Sequence, residues 1–392
     1  MPTTTGREGH DRADRGVRSV VAVLCERATD RPPGLEDLES LGVVFRYCDA
    51  AGLAEAVRGA RGLMLWDYFS TALRDVWPDA GSVEWIHVTA AGVDTLLFDE
   101  LRDSDVVVTN AHGVFDRPIA EYVLGAVIAH AKDSRRGYEY QRRHEWRYRE
   151  TRSVAGSRAL VVGTGGIGRE IARLLRAVGT EVRGVGRTAR SGDPDFGEVV
   201  ASSNLAGEVG WCDHLVLAVP LTEQTRGLVD SAVLAAMKPD AQLVNIARGP
   251  IVDNAALLAA LEDGQLAGAT LDVFDEEPLP ADHPLWDAPN LTITAHMSGD
   301  VVGWREVLAA QFAENVRRWL ADEPLLNVVD KKLGYVPGPV PPNASAGDAS
   351  TADAAGPAGG RARAGRTGES GSEDSGRGGG GVGAGGIGVG WG

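Results

Sequence analysis

Hydrophobic positions along the chain fall into short unbroken runs separated by stretches in which apolar residues recur every three or four positions. Five runs occupy the first third: RSVVAVLC (18–25), GVVFRYC (42–48), RGLMLW (61–66), VEWIHVT (83–89) and DVVVTN (105–110). Six more follow: ALVVG (159–163), EVRGVG (181–186), HLVLAVP (214–220), AQLVNIA (241–247), GATLDVF (268–274) and LTITAH (291–296). Runs this short, apolar on both faces and spaced for an intervening helix, predict parallel strands covered on both sides. Each strand of the second series is expected to be separated from the next by a helix. Between the two series, residues from about Pro118 to Glu150 predict a long helical stretch, apolar first and then charged and aromatic (YEYQRRHEWRYRE). The pattern as a whole predicts the α/β class, with two doubly wound parallel-sheet domains.

Composition changes the picture at the ends. Many of the 51 glycines lie beyond residue 338, in a Pro-, Ala-, Ser- and Gly-rich stretch ending GGGGVGAGGIGVGWG. So little apolar surface does not offset the entropy of ordering, so residues 337–392 are expected to be disordered, as are 1–16. The folded body is then about 17–333. Lys+Arg 39 against Asp+Glu 55 gives a net charge of −16, which argues against nucleic acid or an anionic membrane as partner. Only four of those cations are Lys, which reads as a coding bias. No run approaches the roughly 18 apolar residues of a spanning helix, and the polar first residues lack the apolar core of a signal peptide. Cys25, Cys48 and Cys212 are far apart in the chain and build neither a disulfide framework nor a Cys-only zinc site. A soluble, cytoplasmic, metal-free protein is the expectation.

Directly after ALVVG comes Gly163-Thr164-Gly165-Gly166-Ile167-Gly168, and then the helical pattern REIARLLRAVG. GxGxxG between a strand and a helix is the dinucleotide fingerprint, with a plain Gly-rich βα turn the alternative. Gly163 allows the tight turn, Gly165 lets backbone approach a pyrophosphate, and Gly168 lets the helix pack close, its positive end toward phosphate. A second match at Gly381–Gly386 has no strand or helix around it. Where an Asp or Glu for the adenosine ribose is usual, the chain reads Gly186-Arg187-Thr188-Ala189-Arg190. Without an acid to repel a 2′-phosphate, Arg187 and Thr188, helped by Arg190, predict a preference for NADP(H), with NAD(H) possible. Stacking of Arg187 on adenine, or plain solvation, is the alternative.

Three further segments start at strand carboxyl ends, the edge at which doubly wound sheets bind ligands. Arg248, in Asn245-Ile246-Ala247-Arg248-Gly249-Pro250, is placed to fork onto a carboxylate, or else to touch Asp253 at a helix start. Leu271-Asp272-Val273-Phe274-Asp275-Glu276-Glu277-Pro278 carries four acids, several of which are simply solvated. Thr292–Gly299 carries a single histidine, His296. Taken singly each has a structural reading. Together they supply what hydride transfer to a 2-oxo acid requires: a carboxylate anchor, a proton donor and an acidic partner for it. Acid catalysis of this kind contributes about 10²–10⁴-fold.

At these residues the chain resembles the D-isomer-specific 2-hydroxyacid dehydrogenase family. The likeness covers about residues 40–330 and rests also on AVPLTEQTRGLVD (218–230), MKPDAQLVNIARGPIVD (237–253), ALEDGQLAGATLDVFDEEPLP (260–280) and HPLWDAPNLTITAH (283–296). The resemblance implies a catalytic trio of Arg248, Glu277 and His296. It implies that Asp272 binds the nicotinamide carboxamide and that Gly166 and Ile167 bind the pyrophosphate. Pro220, Thr225, Ala247 and Ser298 would line the cofactor cleft. Ala90-Ala91-Gly92-Val93-Asp94 resembles the loop whose N–H groups hold the substrate carboxylate, making Ala91 and Gly92 candidates, with an ordinary βα turn the alternative. Trp66, in Trp66-Asp67-Tyr68, would shape specificity or pack beneath the domain interface.

The resemblance also implies a Rossmann-type cofactor domain, residues 119–298, inserted into a flavodoxin-like substrate domain made of 17–118 plus 299–333. A final helix around Val302–Asp322 would complete the latter, and the aromatic-basic segment 137–150 resembles a homodimerisation arm. Ala295 stands where the family usually has Pro, and no regulatory domain of recognisable composition follows 333. Segments 64–70 and 88–95 contain no cation, which tilts the expectation from a phosphorylated substrate toward a small 2-oxo acid with an uncharged, partly apolar substituent. A phosphoglycerate- or phosphite-type dehydrogenase and a non-catalytic nicotinamide-sensing corepressor are the alternatives within the family.

Overall fold

The computed structural model describes residues 19–337. The disorder expected of the two ends, and the second GxGxxG match, fall outside the described residues. Eleven runs anticipated as strands are strands. The first lobe contains β1 (Ser19–Leu24), β2 (Val43–Cys48), β3 (Gly62–Leu65), β4 (Trp85–Val88) and β5 (Val107–Asn110), all parallel in the order β2-β1-β3-β4-β5. The second contains β6 (Arg158–Val162), β7 (Glu181–Gly186), β8 (Arg190–Asp193), β9 (Gly197–Ala201), β10 (His214–Leu217), β11 (Gln242–Asn245), β12 (Gly268–Leu271) and β13 (Leu291–Ile293). Its order is β13-β12-β11-β10-β6-β7-β9-β8.

Alternation explains the layering. In β6, Ala159 and Val161 enter one core while Leu160 and Val162 enter another; in β1, Val21 and Val23 part from Ala22 and Leu24 in the same way. Both faces of each sheet are therefore buried, as the unbroken apolar runs require. The helix Asp116–Ala131 contributes Val123 and Val127 to the core that also holds Val21 and Val161, so it joins the lobes through packed side chains.

Three features depart from the sequence reading. The hairpin β8–β9, antiparallel and bulged, extends the sheet edge where no strand was expected; β8 reads RSGD, with no apolar alternation to reveal it. Between β12 and β13 there is only a 3₁₀ turn, Pro284–Asp287, because Pro278, Pro280 and Pro284 deny the connection a helix. The long helical stretch ends at Ala131, resumes as Ser134–Arg142 after Asp133 at φ +50°, and gives way to irregular chain over 145–150. Cys25 and Cys48, distant in sequence, end neighbouring strands, the Cys25 N–H donating to the Cys48 carbonyl at 2.8 Å.

The helix Trp304–Leu320 returns to the first sheet. Phe312, fully buried, stacks on Trp85 with ring centroids 5.5 Å apart, and Trp319 lies 5.6 Å from the same indole. The Trp85 Nε1–H donates to the Thr109 hydroxyl at 2.9 Å. Replacing Phe312 by Ala is expected to cost about 3–5 kcal/mol, because the cavity left under Trp85 has no side chain to fill it. Urea unfolding of the variant checks this; a loss below about 1 kcal/mol would show the helix contributes little.

Candidate active site

Among the parallel strands of each sheet the order of connection reverses once: between β6 and β10 in the second lobe, and between β1 and β3 in the first. The loops at those carboxyl ends diverge and leave a crevice, the place for a ligand in such folds. In the second lobe Gly163 follows β6 at φ +117°, its Cα packed on the Ala218 carbonyl so closely that any Cβ would collide. A Cβ on Gly168 would strike the Gly163 carbonyl, so its absence seats the helix Gly166–Ala177 against the strand. At Gly165 a Cβ would meet nothing within 4 Å, and the helix N-terminus is open on that side. These three glycines fit a pyrophosphate at the helix start. Gly166 faces the Asp116 carboxyl, whose pKa burial raises, and Ile167 packs on the shared core.

At the adenosine end, Arg187 and Thr188 are exposed just past β7, with the Arg187 guanidinium 5.7 Å from the Tyr335 ring centroid. Arg190 is already engaged: Nε and Nη2 donate to Asp193 at 3.1 and 2.8 Å. Arg169 donates to the same buried carboxylate at 2.9 and 3.1 Å. Burial works to raise the Asp193 pKa, but the hydrogen bonds from Arg169 and Arg190 outweigh it and hold the group far below the usual range. The Thr225 hydroxyl donates to the Pro220 carbonyl at 2.7 Å and accepts the Thr222 N–H at 2.8 Å, fixing the turn after β10.

Arg248 is presented by a turn that Asn245 builds. The buried Asn245 amide accepts the Ala247 N–H at 3.0 Å and donates to the Arg248 carbonyl at 2.9 Å. Gly249 is required next, since a Cβ there would lie inside the Phe274–Asp275 backbone. The Arg248 Nη1 donates to the Ala247 carbonyl at 2.7 Å, while Nε and Nη2 reach across to Asp94 of the first lobe at 3.0–3.2 Å. Asp253, the partner considered from sequence, instead caps the helix Asn254–Glu262 by accepting the Ala256 N–H. The Arg248 guanidinium occupies the space a Gly92 Cβ would fill. Ala91 is tied down beside it, its carbonyl accepting from Asn110 at 2.6 Å.

His296 sits at φ +50°, a left-handed conformation that is uncommon for histidine and held in place by its surroundings. Asp272, fully buried, does the holding. Its carbonyl accepts the His296 N–H at 2.8 Å and its carboxylate accepts the N–H groups of Met297 and Ser298 at 3.0 and 2.9 Å, along with the Thr294 hydroxyl. With the ring so placed, His296 Nδ1 meets Glu277 Oε2 at 2.7 Å, and Glu277 Oε1 accepts the Phe274 N–H at 2.8 Å. Burial pushes the Glu277 pKa up; the hydrogen bonds from His296 and Phe274, with the charges of His296 and Arg248, more than reverse this and leave it below the ordinary value. Phe69 meets the imidazole edge-on at 5.6 Å, and Trp66 is buried.

The structure thus brings Arg248, Glu277 and His296 to one cleft edge with Ala91, Gly92 and Trp66 opposite. Sequence reasoning passed over Asp94, Asn245, Thr294 and Phe69. Asp94, Asn245 and Thr294 each stood inside a quoted motif, and Phe69 directly after one, but nothing in those motifs assigned them a partner. Among the described residues, no group of three His, Cys, Asp or Glu side chains is placed to hold a metal, and no helix is long and apolar enough to cross a membrane.

A Rossmann-type sheet that carries a phosphate turn, an arginine, a histidine and a carboxylate beyond its strand carboxyl ends, the arginine paired with Asp94 of a second α/β lobe, defines a class, the two-lobed nicotinamide-dependent dehydrogenases. The comparisons narrow it. Residues 124–298 match the family described as D-isomer specific 2-hydroxyacid dehydrogenase, NAD binding domain. An (S)-sulfolactate dehydrogenase of Chromohalobacter salexigens is 34% identical over 276 residues, 69% of this chain and 88% of that protein. Among solved structures, a D-isomer specific 2-hydroxyacid dehydrogenase from Xanthobacter autotrophicus Py2, in complex with NADPH and MES, is 33% identical with a TM-score of 0.68, covering 81% of this chain and 100% of that one. An NADPH-dependent glyoxylate/hydroxypyruvate reductase from Sinorhizobium meliloti, in complex with NADP and sulfate, is 27% identical with a TM-score of 0.69 and the same coverage. The chain belongs to the D-isomer-specific 2-hydroxyacid dehydrogenase family. It is an NAD(P)-dependent oxidoreductase interconverting a 2-oxo acid and its 2-hydroxy acid.

Proposed function

We propose that this enzyme reduces a small 2-oxo acid to the D-2-hydroxy acid with NADPH, His296 acting as acid and base. The 2.7 Å contact between His296 Nδ1 and Glu277 carries this reading: it engages one ring nitrogen and leaves Nε2 for the substrate oxygen. A bound nicotinamide supplies the hydride. Arg248, steadied by the Asn245 turn, forks onto the carboxylate and carbonyl oxygen, while the N–H groups of Ala91 and Gly92 take the other side of the carboxylate. Glu277 stays ionised and stabilises imidazolium, so that His296 hands over a proton as the alkoxide forms. Asp272 holds the 294–298 turn that aims the ring; its Oδ2 keeps capacity for one further donor, which suits a carboxamide. We read residues 17–118 with 299–333 as a substrate lobe closing on 119–298, and the Asp94–Arg248 pair spans that division.

The cofactor preference rests on Arg187 and Thr188, exposed and without an acid beside them at the end of β7. The complexes of the Xanthobacter and Sinorhizobium proteins with NADPH and NADP support it. Glyoxylate and hydroxypyruvate assayed with both cofactors should give kcat/KM at least about tenfold higher with NADPH, the order expected of one charge-assisted contact. A preference for NADH would overturn this, and turnover of neither acid would overturn the reductase reading. The arm after Ser134–Arg142 exposes Trp146 and Tyr148 almost fully, which supports a homodimer joined there, and buried, unpaired cysteines suit a reducing cytoplasm.

A further inference from the structure

The switch point of the first sheet holds a cavity of about 220 Å³ beside the site described above. Glu26 enters it just after β1 and Asp67 just after β3, where the Trp66 and Asp67 N–H groups both donate to the Leu24 carbonyl at 2.9 Å. Asp300, from the loop that follows His296, lines the third side; Glu26 and Asp300 are exposed and Asp67 is half-buried. None of these three carboxyls has a Lys, Arg or His nitrogen within 4.0 Å among the described residues. Arg305 is the cation in the lining; it lies 3.6 Å from Asp30 and against the rings of Trp66 and Trp304. The walls between are aromatic: Trp66, Tyr68, Phe69 and Trp304. Phe69 also touches the His296 ring, so the cavity opens where a substituent on a bound 2-oxo acid would extend.

Carboxylates with no cation in direct contact, set among aromatic faces, are complementary to an organic cation. Ring faces attract it through their quadrupole, and carboxylates take its N–H donors in charge-assisted bonds. A phosphate, sulfonate or second carboxylate placed there would meet three acids with Arg305 already facing Asp30. We propose that the preferred substrate is a 2-oxo acid whose side chain ends in a guanidinium or ammonium group, seated against Glu26, Asp67 and Asp300. This rests on the 2-oxo acid reading and deepens it. It also replaces the uncharged, apolar substituent expected from segments 64–70 and 88–95 alone, because Glu26 and Asp300 come from elsewhere in the chain. Burial raises the pKa of both Asp67 and Asp300; the backbone N–H groups of Phe69 and Ser70 lower the former and the charges of His296 and Arg305 lower the latter, but neither reverses the rise, to which Glu26 and Asp272 respectively add. A cation in the cavity relieves that cost.

The test uses the full chain with NADPH and four substrates: 5-guanidino-2-oxopentanoate, its near-isosteric neutral analogue 5-ureido-2-oxopentanoate, 2-oxoglutarate and glyoxylate. The guanidino acid should exceed the ureido acid in kcat/KM by at least about tenfold, with 2-oxoglutarate the poorest of the three longer acids. Asp67→Asn combined with Glu26→Gln should bring the guanidino-to-ureido ratio close to unity. The wild-type ratio stands whether or not the variant folds. Reduction of glyoxylate with no discrimination between guanidino and ureido acids, or with 2-oxoglutarate favoured, overturns this inference and leaves the reductase reading standing. Turnover of none of the four overturns both.

Discussion

Replacing His296 by Asn is expected to lower kcat by about 10²–10⁴-fold, the usual worth of one positioned proton donor, or about 3–5 kcal/mol of barrier. Asparagine is the informative choice because residue 296 sits at φ +50°, and Asn occupies that region far more readily than most side chains. The backbone bonds that Asp272 makes to residues 296–298 do not involve the imidazole and survive the change. NADPH binding, followed by quenching of tryptophan fluorescence, should be nearly unaltered, which separates loss of the acid from loss of the fold. A kcat within a few-fold of the parent would show that the proton comes from elsewhere. Glu277→Gln should act more mildly and chiefly through the pH profile, since the ring keeps a hydrogen-bond partner and loses a charge.

How much of this could be read in the chain depends on how local the cause was. The phosphate turn was legible because its three glycines answer to contacts within one strand–turn–helix: the Ala218 carbonyl beside Gly163, the Gly163 carbonyl beside Gly168, open space at Gly165. Arg248, Glu277 and His296 were legible as chemistry, each at the end of an apolar run. Their partners were not. Asp94 and Arg248 lie 154 residues apart, and no pattern in either segment pairs them until two lobes face one another. The cavity acids are similar: Glu26, Asp67 and Asp300 follow three separate runs and meet only at a switch point set by strand order.

Arg190 shows the opposite failure. Sequence spacing offered it to a 2′-phosphate, but the four residues of β8 run from Arg190 to Asp193 and place that carboxylate against it at 2.8 Å. The hairpin itself was invisible because β8 has almost no apolar surface and is held by that ion-pair network with Arg169. Asp133 broke the long helix by adopting φ +50°, where Arg149 donates to its carboxylate at 2.8 Å and its carbonyl at 2.7 Å. Helical periodicity continues through that point in the sequence, so only the returning arginine reveals the break.

Acid should unfold this protein from within, through its buried histidines. His87, wholly buried, packs 5.3 Å from the Phe312 ring, and burial pushes its pKa down to about 3. The Thr109 hydroxyl accepts from the Trp85 indole and shares a 2.9 Å hydrogen bond with His87 Nδ1, whereas Nε2 of the same ring is buried with no partner among the described residues; an imidazolium, which carries a proton on both nitrogens, would leave that N–H without an acceptor. His214, also buried, is lowered to about 4 by burial first and the nearby His130 second, and His130 is itself lowered by burial. These folded values lie below the unfolded one near 6.5. The unfolded chain therefore binds more protons between pH 6.5 and the folded values, and stability falls as pH falls through that window. At about 1.4 kcal/mol per unit, His87 and His214 would each remove about 3 kcal/mol by pH 4. Burial raises the pKa values of Asp67, Asp116 and Asp300, which acts in the opposite sense, while Asp193 and Glu277 add to the loss at lower pH. Urea midpoints at pH 7, 5.5 and 4.5 should decline steeply, and in His87→Met the decline should be shallower. An unchanged slope in that variant would mean the buried imidazole under Phe312 is not what acid attacks.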